Sequence, residues 1–298
     1  MQLYLPFRNA EKVQVANSKG SPMKKLFLAL IALPFVSAFC SAQQPNPTPA
    51  PAVPAQQPAT AVDCKDLPQI AARLESADER LQDWPNLARY REFDAQLPPP
   101  AKGEDRVVFL GDSITDGWSN PQFGGFFPGR PYVNRGISGQ TTPQMLVRFR
   151  PDVIALQPKV VVILAGTNDL ASNTGPISLE ETEGNLATMA ELAKAHGIRV
   201  VLSSVMPVSD VITKSKGGMF LQTDKRPPAK IIALNQWIKK YADENGYIYL
   251  DYYSATLDDK GALKTELTYD GLHPNAQGYA VMAPLAEKAI QQALQQKP

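Results

Sequence analysis

The feature that most constrains this chain is an alternation of short apolar runs with helix-length stretches. The runs cover residues 107–110, 132–134, 160–164, 200–205 and 247–250. Val160, Val161, Val162 and Ile163 make the third run rich in β-branched residues, which favour strands. Residues 142–156 have helical spacing, interrupted near Pro151. Residues 179–196 and 230–245 are also helical, and Gly197 and Gly246 suit their C-terminal caps. A terminal helix fits residues 275–295. Strands joined by helices pair in parallel, because a parallel connection must cross the sheet and a helix does this while covering a face. The pattern predicts an α/β domain, a three-layer α/β/α sandwich from about Arg106 to the C-terminus.

In such a fold, sites form beyond the C-terminal ends of the strands. The first predicted strand is followed by Gly111-Asp112-Ser113-Ile114, the second by Arg135-Gly136-Ile137-Ser138-Gly139-Gln140, and the third by Ala165-Gly166-Thr167-Asn168-Asp169. Asp270-Gly271-Leu272-His273-Pro274 precedes the last helix. Histidine narrows the choice, because the sequence holds two. His196 closes a polar helix, where an imidazole favours the helix dipole and stays solvated, so it reads as structural. His273 follows Asp270 by three residues, a spacing that lets one carboxylate steer one imidazole. The pair also fits a cap at the start of the final helix. Ser113 likewise fits either a hydroxyl presented at the sheet edge or a helix N-cap. The Gly-x-Ser-x-Gly elbow of α/β-hydrolases, metal-ligand spacing of His and Cys, and a Gly-x-Gly-x-x-Gly at the first helix do not occur.

Taken in order, the four loops resemble the signature blocks of the SGNH/GDSL hydrolases, over residues 106–298. The resemblance implies a flavodoxin-like sheet of five parallel strands. It makes Ser113 the nucleophile and Asp270 and His273 the rest of a catalytic triad. It makes the backbone N–H groups of Ser113 and Gly139 and the side chain of Asn168 the oxyanion hole. One departure is visible, Ile114 where the family name has leucine, a conservative change. The implied chemistry is ester hydrolysis through an acyl-enzyme, and it requires no metal or organic cofactor. The wording "GDSITDGW", "NRGISGQTT" and "LAGTND" is similar to bacterial secreted acetylesterases and platelet-activating-factor-acetylhydrolase-like members. That favours a short acyl group, acetyl on a carbohydrate. A lysophospholipase or thioesterase is the alternative within the family. A non-catalytic carbohydrate-binding module is the alternative of another class, and the presence of Ser113, Asn168, Asp270 and His273 together argues against it.

The N-terminal part reads as export machinery and a tether. Lys24 and Lys25 precede an apolar stretch, 26–36, and small-residue cleavage sites end at Ala38 and Ala42. Residues 1–42 are therefore expected to be a signal region with its true start at Met23. The apolar stretch is shorter than the roughly 20 residues of a membrane span. A membrane anchor or a buried helix is the competing reading. Phe39 stands where a lipobox needs a small residue, so lipid anchoring through Cys40 is not expected. Cleavage after Ala42 leaves Cys64 as the only cysteine and no disulfide framework. Residues 43–63 form a Pro/Ala/Gln linker. Residues 64–105 read as a helical extension in which Ile70, Leu74 and Leu81 form an apolar side, Pro85 opens a second helix carrying Leu87 and Tyr90, and Pro98-Pro99-Pro100 ends it. The expected location is secreted or periplasmic, with membrane contact only in transit. A formal net charge of +1 gives no electrostatic reason for a nucleic-acid partner. The expected partner is a small-molecule or polysaccharide ester. Trp118, Phe123, Phe126 and Phe127, and the loop 207–227, can wall the site, and the aromatics can equally stack on sugars or close a core.

Overall fold

The computed structural model describes residues 64–215 and 221–296. Residues 1–63, on which the expected signal region and linker fall, lie outside the described residues, and the described residues belong to one unit, Ala61–Pro298. Five strands, β1 (Val107–Gly111), β2 (Tyr132–Gly136), β3 (Val160–Leu164), β4 (Arg199–Ser203) and β5 (Ile248–Leu250), form one parallel sheet in the order β2-β1-β3-β4-β5. This is the flavodoxin-like order, whose switch point lies between β1 and β3. The helices are α1 (Leu67–Gln82), α2 (Arg91–Gln96), α3 (Ser113–Gly117), α4 (Thr142–Asp152), α5 (Thr167–Leu170), α6 (Leu179–Ala195), α7 (Val211–Ser215), α8 (Gln222–Lys225), α9 (Pro228–Asn245), α10 (Tyr252–Thr256) and α11 (Ala276–Gln295).

The pleat sorts alternate strand residues onto two faces. Val108, Leu110, Val161, Ile163, Val200 and Leu202 share a core with Met145 and Phe149 of α4, Leu186 and Met189 of α6, and Leu234 and Ile238 of α9. Val107, Phe109, Val160, Val162 and Val201 face the other way, onto Tyr279, Met282 and Ile290 of α11. Both faces are covered, which explains why the strands read as continuous apolar runs and not as an alternating pattern. The register sets Gly111 beside both Gly136 and Leu164. The first three strands therefore end level, and the loops after them start from one edge.

Arg148 of α4 locks that edge. Its guanidinium is fully buried and donates to the carbonyls of Gly111 (2.9 Å) and Arg135 (2.8 Å) and to Asp152 Oδ2 (2.8 Å). A buried cation persists where, as here, its donors are paired. Gly136 has a steric reason to be glycine, because a Cβ there would stand 2.1 Å from the backbone nitrogen of Asp116 in α3.

Several sequence expectations need correction. Pro85 does not open a helix. Residues 83–90 form turns in which the Asp83 carboxylate accepts the N–H groups of Leu87 and Ala88, both at 2.8 Å, and α2 starts only at Arg91. An aspartate that satisfies two backbone donors locally offers the chain an alternative to a helical turn. The apolar side of α1 is not a core face, since Leu74 and Leu81 are exposed. The helix read over 142–156 ends at Asp152 and passes into a 3₁₀ turn, Ile154–Leu156. β4 stops at Ser203, two residues before the apolar run does. Of the loop aromatics, Trp118 and Phe127 are buried, with ring centroids 5.0 Å apart, and close a core with Phe109. Among the described residues no helix is long and apolar enough to cross a membrane.

Candidate active site

The side chain of Asp112 starts α3. Its Oδ1 accepts the N–H of Ile114 at 2.9 Å, which makes Ser113 the first helical residue. From the other side, the Tyr279 hydroxyl donates to the Ile114 carbonyl at 2.8 Å and ties this turn to α11. Ser113 Oγ then lies 2.9 Å from His273 Nε2. His273 Nδ1 lies 2.6 Å from Asp270 Oδ2. The other oxygen of Asp270 accepts the backbone N–H groups of Leu272 (2.9 Å) and His273 (2.7 Å). Burial pushes the Asp270 carboxyl up, but the imidazole and these N–H donors outweigh it and hold the group below its ordinary value. It is therefore ionised at neutral pH. Thr268 and Ser209 brace the loop: the Thr268 hydroxyl donates to the His273 carbonyl at 2.7 Å, and the Ser209 N–H to the Gly271 carbonyl at 2.8 Å. The helix-cap reading of the Asp270–His273 loop is answered by Asn275, which itself caps α11 through its side-chain oxygen. Asp270 and His273 are thus not the helix cap.

Ser138 is pinned by Asp116, whose Oδ2 accepts its N–H at 3.2 Å and its hydroxyl at 2.7 Å. Gly139 follows with φ of +80°, a conformation in which glycine carries no steric cost. Among the described residues the Gly139 N–H donates to no backbone carbonyl. Asn168 is buried. Its Nδ2 donates to the Gln140 carbonyl at 3.0 Å, beside Gly139, and retains a second hydrogen. Asn168 Oδ1 accepts from Arg226 Nη2 at 3.2 Å, which fixes which end of the amide is the donor. The neighbouring Asp169 carboxylate accepts the Thr142 N–H at 3.0 Å and so joins the third loop to the start of α4.

The structure brings Ser113, His273 and Asp270 into one hydrogen-bonded chain and sets Gly139 and Asn168 on adjoining loops. His196 is elsewhere, exposed at the end of α6, with Nδ1 2.8 Å from the Leu192 carbonyl. Sequence reasoning missed Arg226, Arg148 and Asp169, whose contacts with Asn168, Gly111 and Thr142 join segments remote in the chain. The loop 207–227 does reach the site, through Arg226, which also donates to the Thr167 hydroxyl at 3.0 Å. Of the aromatics, Phe123 approaches the site indirectly. It stacks on Tyr269 at 6.3 Å, and Tyr269 stacks on the His273 ring at 5.7 Å.

Asp112 carries an additional consequence. It is 1% exposed and its Oδ2 has no hydrogen-bond partner. Burial pushes its carboxyl up to about 6, although the Ile114 N–H, His273 and Arg226 pull the other way. An unfolded aspartate titrates near 3.9. As pH rises from about 4, the unfolded chain loses this proton first, so the stability Asp112 contributes is full in acid and is lost as pH passes about 6. Asp112→Asn keeps the cap oxygen and cannot ionise. Urea unfolding from pH 4 to 7 should show wild type losing ground to the variant, by up to about 1.4 kcal/mol per unit of pKa shift. A stability difference independent of pH would rule this out.

Comparison with known proteins agrees with the fold. The model of the GDSL-like Lipase/Acylhydrolase family matches residues 109–281. A solved GDSL-like lipase of Bacteroides thetaiotaomicron is 43% identical with a TM-score of 0.64, covering 71% of this chain and 100% of its own. The acetylxylan esterase of Geobacillus stearothermophilus is 25% identical over 60% of this chain and 90% of its own length. The uncharacterized lipoprotein YqeF of Bacillus subtilis is 32% identical over 36% of this chain, and the match spans about half of that relative, 51%. The family match runs from within β1 through the other four strands, the switch-point loops and the Asp270–His273 loop, and the chain belongs to the GDSL-like lipase/acylhydrolase family.

Proposed function

We propose that this chain is an exported serine esterase that removes short acyl groups, acetyl above all, from a carbohydrate. The observation that carries the reading is the unbroken relay from Asp270 through His273 to Ser113, with links of 2.6 and 2.9 Å. His273 Nε2 takes the proton of the Ser113 hydroxyl as Oγ attacks the ester carbonyl. Asp270 holds Nδ1 protonated and stabilises the imidazolium. The N–H groups of Ser113 and Gly139 and the second amide hydrogen of Asn168 receive the charge that develops on the carbonyl oxygen. The imidazolium then protonates the departing alcohol, and water, deprotonated by the same nitrogen, releases the acid from Ser113. The acetyl and carbohydrate parts of the reading draw support from the likeness to an acetylxylan esterase. Export rests on the basic, apolar and small-residue order of residues 23–42, with 43–63 as tether, 64–105 as extension and 106–298 as the hydrolase domain.

The test is a series of p-nitrophenyl esters of increasing acyl length, followed by acetate release from acetylated polysaccharide. The expected result is a sharp preference for acetate. A preference for long acyl chains would favour a lysophospholipase or thioesterase, and absence of turnover would favour a binding module. Protein exported by a bacterial host for these assays should begin near Phe39 or Gln43, and a mature form retaining residues 26–36 would overturn export.

A further inference from the structure

Trp84 is an exposed aromatic, 40% accessible, on the extension that precedes the matched family region. Its backbone is held firmly. Gln144 of α4 donates to the Trp84 carbonyl at 2.7 Å, and Gln140 donates to the Pro85 carbonyl at 2.6 Å. Asp83 fixes the turn on the other side through its two N–H acceptances. Further along, the Tyr90 hydroxyl donates to the Gly136 carbonyl and Asp94 pairs with Arg135. The extension is thus fastened to the loop that carries Gly139, and an exposed indole is held there at little further entropic cost.

Between the extension and that loop lies a cleft of about 740 Å³, within the roughly 300–1,000 Å³ of small-molecule sites. Trp84 and Asn86 line one side, and Ser138, Gly139, Asn173 and Thr174 the other. Gly139 belongs to both the cleft and the proposed oxyanion hole, so a substrate whose carbonyl sits in the hole has the cleft beside it. The described lining contains no lysine or arginine, which disfavours a phosphate headgroup. Its carboxylate, Asp83, is spent on backbone donors. One indole, with Ile137, among amides and hydroxyls matches a pyranose or furanose ring, which offers an apolar C–H face to an aromatic and hydroxyls around its rim. A long alkyl chain would need an apolar wall, and beyond Trp84 and Ile137 the described lining offers no apolar side chain.

We infer that this cleft binds a sugar residue of an oligosaccharide substrate, with Trp84 as its stacking platform. The inference rests on the esterase reading of the same site. With a two-carbon acyl group, all the bulk of the substrate lies in its alcohol. The ring that fills the cleft is therefore a neighbour of the esterified one, and the extension makes the enzyme selective for oligomers over single sugars.

The experiment compares acetylated xylohexaose with acetylated xylose as substrates of the full chain and of Trp84→Ala. The ratio of the two kcat/KM values should fall at least tenfold in Trp84→Ala, mainly through KM for the hexaose, and Trp84→Phe should recover most of it. An unchanged ratio in an active enzyme overturns the cleft assignment while leaving the esterase reading intact. A wild type that prefers long acyl chains, with that preference reduced in Trp84→Ala, makes the cleft an acyl groove and also overturns it. Calorimetric binding of unesterified xylohexaose to Ser113→Ala tests the cleft without turnover. Binding weakened tenfold by adding Trp84→Ala supports the assignment even if no ester is hydrolysed, and binding absent or indifferent to Trp84 overturns it.

Discussion

His273→Ala lowers kcat by roughly 10⁴–10⁶-fold, as removal of a base that acts with a nucleophile does, whereas His196→Ala stays within about twofold of wild type. The difference follows from environment. His273 Nε2 faces Ser113 Oγ at 2.9 Å and its Nδ1 faces an ionised carboxylate at 2.6 Å. His196 meets only a helix carbonyl near solvent. The loop around His273 is organised independently of the ring, since Asp270 Oδ1 accepts two backbone N–H groups and Thr268 holds the His273 carbonyl. The variant therefore keeps its fold. Steady-state kinetics on p-nitrophenyl acetate, with thermal unfolding of both variants alongside, measures the effect. Similar activity in the two would mean that the base lies elsewhere.

The sheet was legible because it is buried on both faces. Val160–Leu164 can be read as a strand because no other local structure concentrates β-branched residues so fully between turns. Tyr132–Gly136 carries a weaker apolar signal, since it lies at the sheet edge and its first three residues are only partly buried. The loop residues Ser113, Gly139, Asn168, Asp270 and His273 stood out through their glycine-bearing turns and their places after strands. Arg226 and Arg148 had no such signal. Each acts through partners tens of residues away in the chain, Arg226 on Asn168 and Arg148 on Gly111, and local spacing carries no trace of a tertiary hydrogen bond. The extension misled for the opposite reason. Pro85 and the apolar spacing of α1 are local helix signals, but the Asp83 turn and the contacts of Gln140 and Gln144 with residues 84 and 85 decide the path there. An apolar stripe becomes a core face only if something packs on it, and Leu74 and Leu81 remain exposed.

Asn168→Ala separates the proposed mechanism from a relay acting alone. Asparagine favours turns in its own right, and the Asn168 carbonyl does accept the Asn173 N–H at 3.1 Å. A backbone bond of that kind survives truncation to alanine. What alanine removes is the amide that spans Gln140 and Arg226. With Oδ1 against a guanidinium, the amide is oriented before substrate arrives, and in the proposed mechanism its second N–H meets charge that exists only in the transition state. Such a donor acts on turnover far more than on substrate affinity. The expected result is kcat lower by roughly 10²–10³-fold, with KM within about threefold of wild type. Arg226→Gln, which retains a donor but not the cation, should fall between wild type and Asn168→Ala with the same split between kcat and KM. A phosphonate directed at Ser113 should still label both variants, because nucleophile and base are intact. Turnover that survives in Asn168→Ala while the unfolding midpoint collapses would make Asn168 a turn residue and remove it from the oxyanion hole.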